Sequence, residues 1–238
     1  MSILLNGDCL EEIKGIDDNS VDFIFCDLPY GQTSCKWDCC IDLEAFWKEI
    51  MRIKKLNTPI FMTTTTKFGV SLINSAPKKC PFRYDLVWVK SAAAGFLSAK
   101  RMPMRKHEMI YAFYEKLPFY DLSSHKHKFL RERKEEWCDK NGLYGEDKNI
   151  PKTEYKYEPP LPTSMLEIKS TKGKHSTEKP VALIEWLLKY YSKEGDVVLD
   201  PTMGSGSTGV ACKNMNRNFI GIEKDEEIYE SACKRIWE

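Results

Sequence analysis

Val197-Val198-Leu199-Asp200-Pro201-Thr202-Met203-Gly204-Ser205-Gly206-Ser207-Thr208-Gly209 is an apolar run that breaks into a glycine-rich loop. The apolar triplet reads as a buried strand. Glycines at 204, 206 and 209 permit close backbone approach and positive φ. The pattern then turns helical from about Ser207 to Asn214, Phe219 to Glu223 is the next strand, and a last helix covers about Glu226 to Trp237. A strand, a Gly-x-Gly-x-x-Gly turn, a helix and a second strand ending in Glu223 is the layout of a nucleotide site in an α/β sheet, where such an acid holds ribose hydroxyls. No Lys-Ser or Lys-Thr follows Gly209, so the loop is not a phosphate-gripping P-loop. Asp200 would repel a pyrophosphate but can hold the ammonium of a methionine-like moiety.

Upstream, Pro180 to Tyr191 carries Val181, Ile184, Leu187 and Leu188 on one helical face, with Pro180 suited to the first turn. Strand-like runs come earlier: Ile3 to Leu5, Val21 to Cys26, Pro59 to Thr64, Tyr84 to Val89 and His107 to Phe113. Leu43, Phe46, Trp47, Ile50 and Ile53 have helical spacing, with Asp42 as the N-cap. Alternating strands and helices predict an α/β sheet. The chain is divided into 1–116, a variable insert at 117–171, and 172–238. The insert is polar and rich in Pro, Lys and Tyr; it shows no clean strand pattern, and His125 to Lys140 has fair helical propensity.

A second loop sits at the end of an early strand. Asp27-Leu28-Pro29-Tyr30-Gly31 follows Val21 to Cys26, at a carboxyl end where open α/β sheets place ligands. The exocyclic amine of a base is a poor nucleophile, because its lone pair is delocalised into the ring. Acceptors in line with its two N–H bonds favour a pyramidal nitrogen. Asp27 supplies one and the Leu28 carbonyl the other, while Pro29 stiffens the turn and Tyr30 stacks on the base. The two loops together imply an enzyme with a nucleoside cofactor and a planar base as acceptor.

Composition bounds the partners. Thirty-six basic and 35 acidic residues leave a net charge of +1, so nucleic-acid contact has to come from local patches. The candidates are Lys100-Arg101, Arg105-Lys106 and Lys126 to Lys134, the last holding Lys128, Arg131 and Arg133. No run is long and apolar enough to span a membrane, and the N-terminus lacks signal-peptide features, so a cytosolic setting is expected. The nine cysteines then read as reduced thiols. Cys35, Cys39 and Cys40 cluster, as do His125 and His127, but without the paired spacing of a zinc site, so no metal is expected.

In combination these motifs make a specific signature. The chain resembles the amino-methylating DNA methyltransferases that use S-adenosylmethionine, in the permuted order called the β group. Asp27-Leu28-Pro29-Tyr30 looks like that family's Asp-Pro-Pro-Tyr catalytic motif, with Leu28 where proline is commonest. Asp200 to Gly209 looks like its cofactor motif, so Asp200, Thr202, Gly204, Ser205, Gly206 and Thr208 inherit cofactor contacts, and Glu223 the ribose. Asn6-Gly7-Asp8-Cys9 is similar to the segment whose acid meets the cofactor adenine, a role that falls to Asp8. His175-Ser176-Thr177-Glu178-Lys179-Pro180 resembles the His-x-x-x-Lys-Pro signature, which puts Lys179 near the methionine end. The resemblance implies a mainly parallel, seven-stranded Rossmann-like sheet with helices on both faces, one antiparallel strand, and an inserted target-recognition region.

It also implies the reaction: direct displacement, in which a flipped base takes the sulfonium methyl without a covalent intermediate. Asp at the first motif position favours adenine N6, with cytosine N4 as the alternative. Contacts to double-stranded DNA are expected from Arg101, Arg105, Lys126, Lys128, Arg131 and Arg133. Ser91 to Leu97, a small-residue loop, is placed at the border of the target pocket. A homodimer and a cognate restriction endonuclease are the further partners the resemblance implies. RNA or protein-glutamine methylation, a nicotinamide dehydrogenase and an inactive binding module are the competing readings. The glutamine methylases use Asn at the first motif position and place the cofactor motif first, a dehydrogenase leaves the Asp27 loop without a task, and an inactive module would need a damaged motif.

Overall fold

A computed structural model describes residues 2–29, 41–132, 153–170 and 178–238. Tyr30, Arg133, the Cys35–Cys39–Cys40 cluster and His175 lie outside them. The described chain falls into two units, Met1–Tyr120 with Ser164–Glu238, and Asp121–Thr163.

The first unit is built on a single eight-stranded sheet. Its strands are β1 (Ser2–Asn6), β2 (Phe23–Cys26), β3 (Ile60–Thr64), β4 (Phe82–Ala94) and β5 (Arg105–Phe113), then β8 (Met165–Leu166), β9 (Val197–Asp200) and β10 (Asn218–Glu223). In space they run β1-β10-β9-β2-β3-β5-β4-β8. β5 is antiparallel to both its neighbours, and every other pairing is parallel. This is the expected sheet with a two-residue eighth strand added at the edge.

The helices follow from their caps and faces. α2 (Leu43–Ile53) starts at Asp42, whose carboxylate accepts from the Glu44 and Ala45 amides, and it buries Phe46, Trp47, Ile50 and Ile53. α4 (Val181–Tyr191) begins directly after Pro180 and buries Leu183, Ile184, Leu187 and Leu188. α5 (Ser207–Asn214) and α6 (Glu226–Trp237) follow β9 and β10. The short α1 (Cys9–Glu12) packs on α2, as α3 (Thr66–Ser75) does, whereas α4, α5 and α6 form the other group. β2 faces both layers, and all four of its residues are buried. Ile24 and Cys26 join the α2 cluster; Phe23 stacks on Phe61, which meets Tyr191 of α4. Truncating such a phenylalanine to alanine costs ~3–5 kcal/mol, from lost transfer energy plus a cavity.

Thr66–Ser75 forms α3, a helix that the sequence alone leaves unassigned; the Thr65 hydroxyl accepts from the Phe68 amide and caps it. Two expectations are corrected. Ser91 to Ala94, expected as loop, continues β4, because hairpin pairing with β5 carries on as far as Ala94 opposite Arg105. Part of the stretch with fair helical propensity is strand: β6 (Lys126–Glu132) pairs antiparallel with β7 (Thr153–Glu158) in the second unit. Cross-strand partners such as His127 on Tyr157, with ring centroids 4.8 Å apart, outweigh local preference.

Candidate active site

The sheet order gathers residues from both ends of the chain. β9 leads through α5 to β10 on one side, while β2 leads through α2 to β3 on the other. The winding direction therefore reverses between β9 and β2, and a crevice at such a switch point is where open α/β sheets bind ligands. Read along the sheet, Asp8 stands two residues beyond the end of β1, β10 and β9 end in Glu223 and Asp200, and Asp27 directly follows β2. Four acids thus stand along four adjacent strand ends, spaced by about 4.8 Å per strand.

Asp200 is 2% exposed. Its Oδ2 accepts from Thr208 Oγ1 at 2.5 Å and its Oδ1 from the Thr202 amide at 3.1 Å. Burial pushes its carboxyl up to about 7, against the lowering effect of those hydrogen bonds and with the Asp27 and Glu223 charges adding to the rise. Thr202 Oγ1 is buried without a hydrogen-bond partner among the described residues. Buried polar atoms are nearly always satisfied, so this one marks a place for a ligand acceptor or donor.

The loop after β9 is held from three sides. The Gly204 amide donates to Glu223 Oε2 at 3.0 Å, and the Asp225 amide to Oε1 at 2.9 Å. Gly206 has φ +78°, and a Cβ there would lie 3.0–3.2 Å from Ile236 and Ala232, so a side chain would be strained and would press on α6. Arg235 of α6 donates to the Ser205 carbonyl at 3.1 Å and hydroxyl at 3.0 Å, and reaches Glu178 Oε1 at 2.5 Å. Asp8 caps α1 through the Leu10 amide and pairs with Lys224 at 3.0 Å; that hydrogen-bonded ammonium holds its carboxyl below the usual range.

On the other side of the switch point, Leu28 is buried and Asp27 half-buried. Thr63 Oγ1 of β3 donates to Asp27 Oδ1. Lys179 Nζ donates to Asp27 Oδ2 at 2.5 Å and also lies 3.3 Å from Glu108 Oε1 of β5. Glu108 Oε2 in turn meets Lys90 of β4 at 2.8 Å. Burial alone would lower the Lys179 pKa, but the Asp27 and Glu108 carboxylates overcome it and hold the ammonium above its ordinary value. The expected neighbour of the cofactor's methionine end is therefore seated on the acceptor-loop carboxylate.

Sequence reasoning singled out neither Glu108, Thr63, Glu178 nor Arg235. Glu108 carried a readable signal, an acid at the point where β5 passes from the charged Arg105-Lys106-His107 to the apolar Met109 to Phe113. Of the expected nucleic-acid contacts, Arg101 and Arg105 are exposed beside the β4–β5 turn. In the second unit Lys126 and Lys128 are exposed, Lys128 3.6 Å from Glu158, and Arg131 lies in β6.

Residues 21–234 match the profile of the N6/N4 methyltransferases, described as DNA methylase. The Type II methyltransferase M.HinfI of Haemophilus influenzae is 28% identical over the whole chain, which spans 69% of that protein. M2.DpnII of Streptococcus pneumoniae is 48% identical, over 27% of this chain and 24% of its own length. Among solved structures, the M1.HpyAVI–SAM complex superposes with a TM-score of 0.66 at 25% identity, covering 99% of both chains. The cytosine-N4-specific PvuII DNA methyltransferase shares the fold, with a TM-score of 0.71 at 13% identity over 98% of this chain and 86% of that one.

Proposed function

The chain belongs to the N6/N4 DNA methylase family, and from that premise we propose that it methylates the N6 amine of adenine at a specific site in duplex DNA. DNA methylation with S-adenosylmethionine is the coarser statement, common to the family and to the SAM-bound relative. The choice of adenine rests on Asp27 in the first position of Asp27-Leu28-Pro29-Tyr30. The observation that carries the reading is the row Asp8, Glu223, Asp200 and Asp27 across the switch point. It runs from one acid that suits an adenine, through one that suits a ribose and one that suits a cation, to one that suits an acceptor amine.

The residues present fit the cofactor. Among the described residues Thr202 Oγ1 is a buried atom without a hydrogen-bond partner, and Asp200 is a buried carboxyl without an ion pair. S-adenosylmethionine, when bound, supplies a methyl group activated by its sulfonium. Asp200 and Thr202 hold the cationic amino-acid end, Glu223 the ribose hydroxyls and Asp8 the adenine amine, on a backbone shaped by Gly204 and Gly206, with Ser205 and Thr208 bracing it. Asp27 and the Leu28 carbonyl accept the two N–H groups of the target amine. Thr63 and Lys179 fix the two Asp27 oxygens, so their direction is set before the base arrives. As the nitrogen gains positive charge, its proton passes to an Asp27 oxygen. Tyr30 stacks on the flipped base.

The unit Asp121–Thr163 is assigned to target recognition, with Lys126, Lys128, Arg131 and Arg133 on phosphates, as Arg101 and Arg105 are in the first unit. A homodimer and a cognate restriction endonuclease complete the reading. The test is transfer of labelled methyl to unmodified duplex DNA with the digested nucleosides separated. Label in N6-methyladenosine is expected. Label in N4-methylcytidine overturns the base assignment, and no transfer to DNA overturns the substrate.

A further inference from the structure

We infer that the tip of the β4–β5 hairpin, Phe96 and Leu97, is a wedge that enters the DNA base stack and fills the space a flipped target base leaves; this rests on the DNA-methylation reading above. The hairpin grows directly out of the reaction site. Trp88 pairs with Glu108 and Val89 with His107, next to the Lys90–Glu108–Lys179–Asp27 chain. A register shift follows, and the ladder ends at Ala94 opposite Arg105, about 10 Å beyond Glu108 at strand rise. Ser91 to Ala94 are exposed and small, which makes a slender stalk.

The tip is an ordered turn. Gly95 adopts φ +91°, a conformation side chains rarely take. The Ser98 amide donates to the Gly95 carbonyl and the Ala99 amide to the Phe96 carbonyl, both at 3.0 Å, and the Arg101 and Met102 amides both donate to the Ser98 carbonyl. This turn presents Phe96 at 81% and Leu97 at 100% exposure. Keeping two large apolar side chains in water on a built turn is costly, and such a patch marks a contact surface.

Charge selects the occupant. From Ser91 to Lys106 the chain holds Lys100, Arg101, Arg105 and Lys106 and no acid, and all four cations are exposed. Apolar tips flanked by cations suit a stack of bases between two phosphate backbones. A second copy joined tip to tip would set these cations against their own equivalents. Flipping costs unstacking energy, and a side chain that replaces the lost stacking lowers that cost where the base must leave.

The experiment compares wild type with F96A/L97A on duplexes carrying the site mapped by methyl transfer. One duplex is fully paired; in the other the target base is mismatched, so it is already unpaired. Both positions are exposed, so folding should be unaffected, and S-adenosylmethionine binding serves as the control. On the paired duplex the double variant should be about ten- to a hundredfold slower and should lose the fluorescence rise of 2-aminopurine at the target position; on the mismatched duplex it should come back to within about threefold of wild type. Phe96→Trp should retain flipping. Equal losses on both duplexes, or no loss on either, overturn the wedge, as does a dimer that F96A/L97A dissociates in sedimentation. Absence of transfer by wild type itself overturns the underlying reading instead, and the wedge with it.

Discussion

Glu178 and Lys179 are adjacent in the chain and grip different loops. Glu178 Oε1 lies 2.5 Å from Arg235, which holds Ser205 of the glycine-rich loop, and Lys179 Nζ lies 2.5 Å from Asp27. One short segment ahead of α4 therefore ties the glycine-rich loop to the Asp27 loop. The two residues should separate kinetically. Lys179→Met is expected to lower kcat by about a hundredfold with little change in cofactor Kd, while Glu178→Gln raises cofactor Kd by about tenfold. Steady-state kinetics and a cofactor titration on both variants check the split; equal effects on both parameters would show that the segment acts only as a scaffold.

Asp27→Ala removes the side chain proposed to accept from the target amine. Cofactor binding should survive, because Asp27 sits across the switch point from Asp200, and methyl transfer should fall by about a thousandfold or more. Unchanged methylation in that variant sinks the assignment.

Asp200 gives a pH dependence with a definite sign. Its carboxyl sits at about 7 in the folded chain against an ordinary 3.8. The unfolded chain loses that proton first as pH rises, so Asp200 subtracts stability from the cofactor-free protein progressively between about pH 4 and 7, and fully above 7. A cationic ligand favours the ionised form. Cofactor affinity should thus rise from pH 6 to pH 8 by several-fold, with proton release on binding visible by calorimetry in buffers of different ionisation heat. Asp200→Asn should bind more weakly and with no pH slope.

Glu108→Gln tests the outer end of the charge chain. Lys179 would keep Asp27 but lose its second anion, and Lys90 its partner. The expected result is a drop of about tenfold in kcat, with DNA and cofactor affinities unchanged. A pH profile of kcat that stays superimposable on wild type would remove Glu108 from the reaction.

Gly206→Ala should destabilise the fold by ~1–3 kcal/mol, since alanine at φ +78° is strained and its Cβ presses on Ile236 and Ala232. Urea unfolding measures it, and a value near zero would show that α6 gives way.

Much of the sheet could be read locally. β2 and β9 are short apolar runs that end in Asp27 and Asp200, and α2 announces itself through Asp42 and its apolar spacing. α3 was hidden because Thr65 and Thr66 favour strands in isolation, and only the Thr65 cap and the buried Phe68 and Leu72 decide for helix. β6 and β7 draw their stability from each other, across some twenty intervening residues, which no window of sequence captures. The site divides the same way. Asp27, Asp200 and Glu223 stand at or just beyond strand ends, a position that short apolar runs make visible in the sequence. Thr63, Glu108 and Arg235 matter because of which strand or helix lies beside which, and that follows from the order in which the sheet is assembled.

The pairing of Ser2–Asn6 with Asn218–Glu223 has a temporal consequence. Among the described residues β1 pairs only with β10, and β2 takes β9 on its second side, so both wait for strands far later in the chain. Contacts of such sequence separation close late. A chain that stops before β9 and β10 holds Asp27 but neither Asp200 nor Glu223, so the two sides of the switch point come together only once both strands have been made.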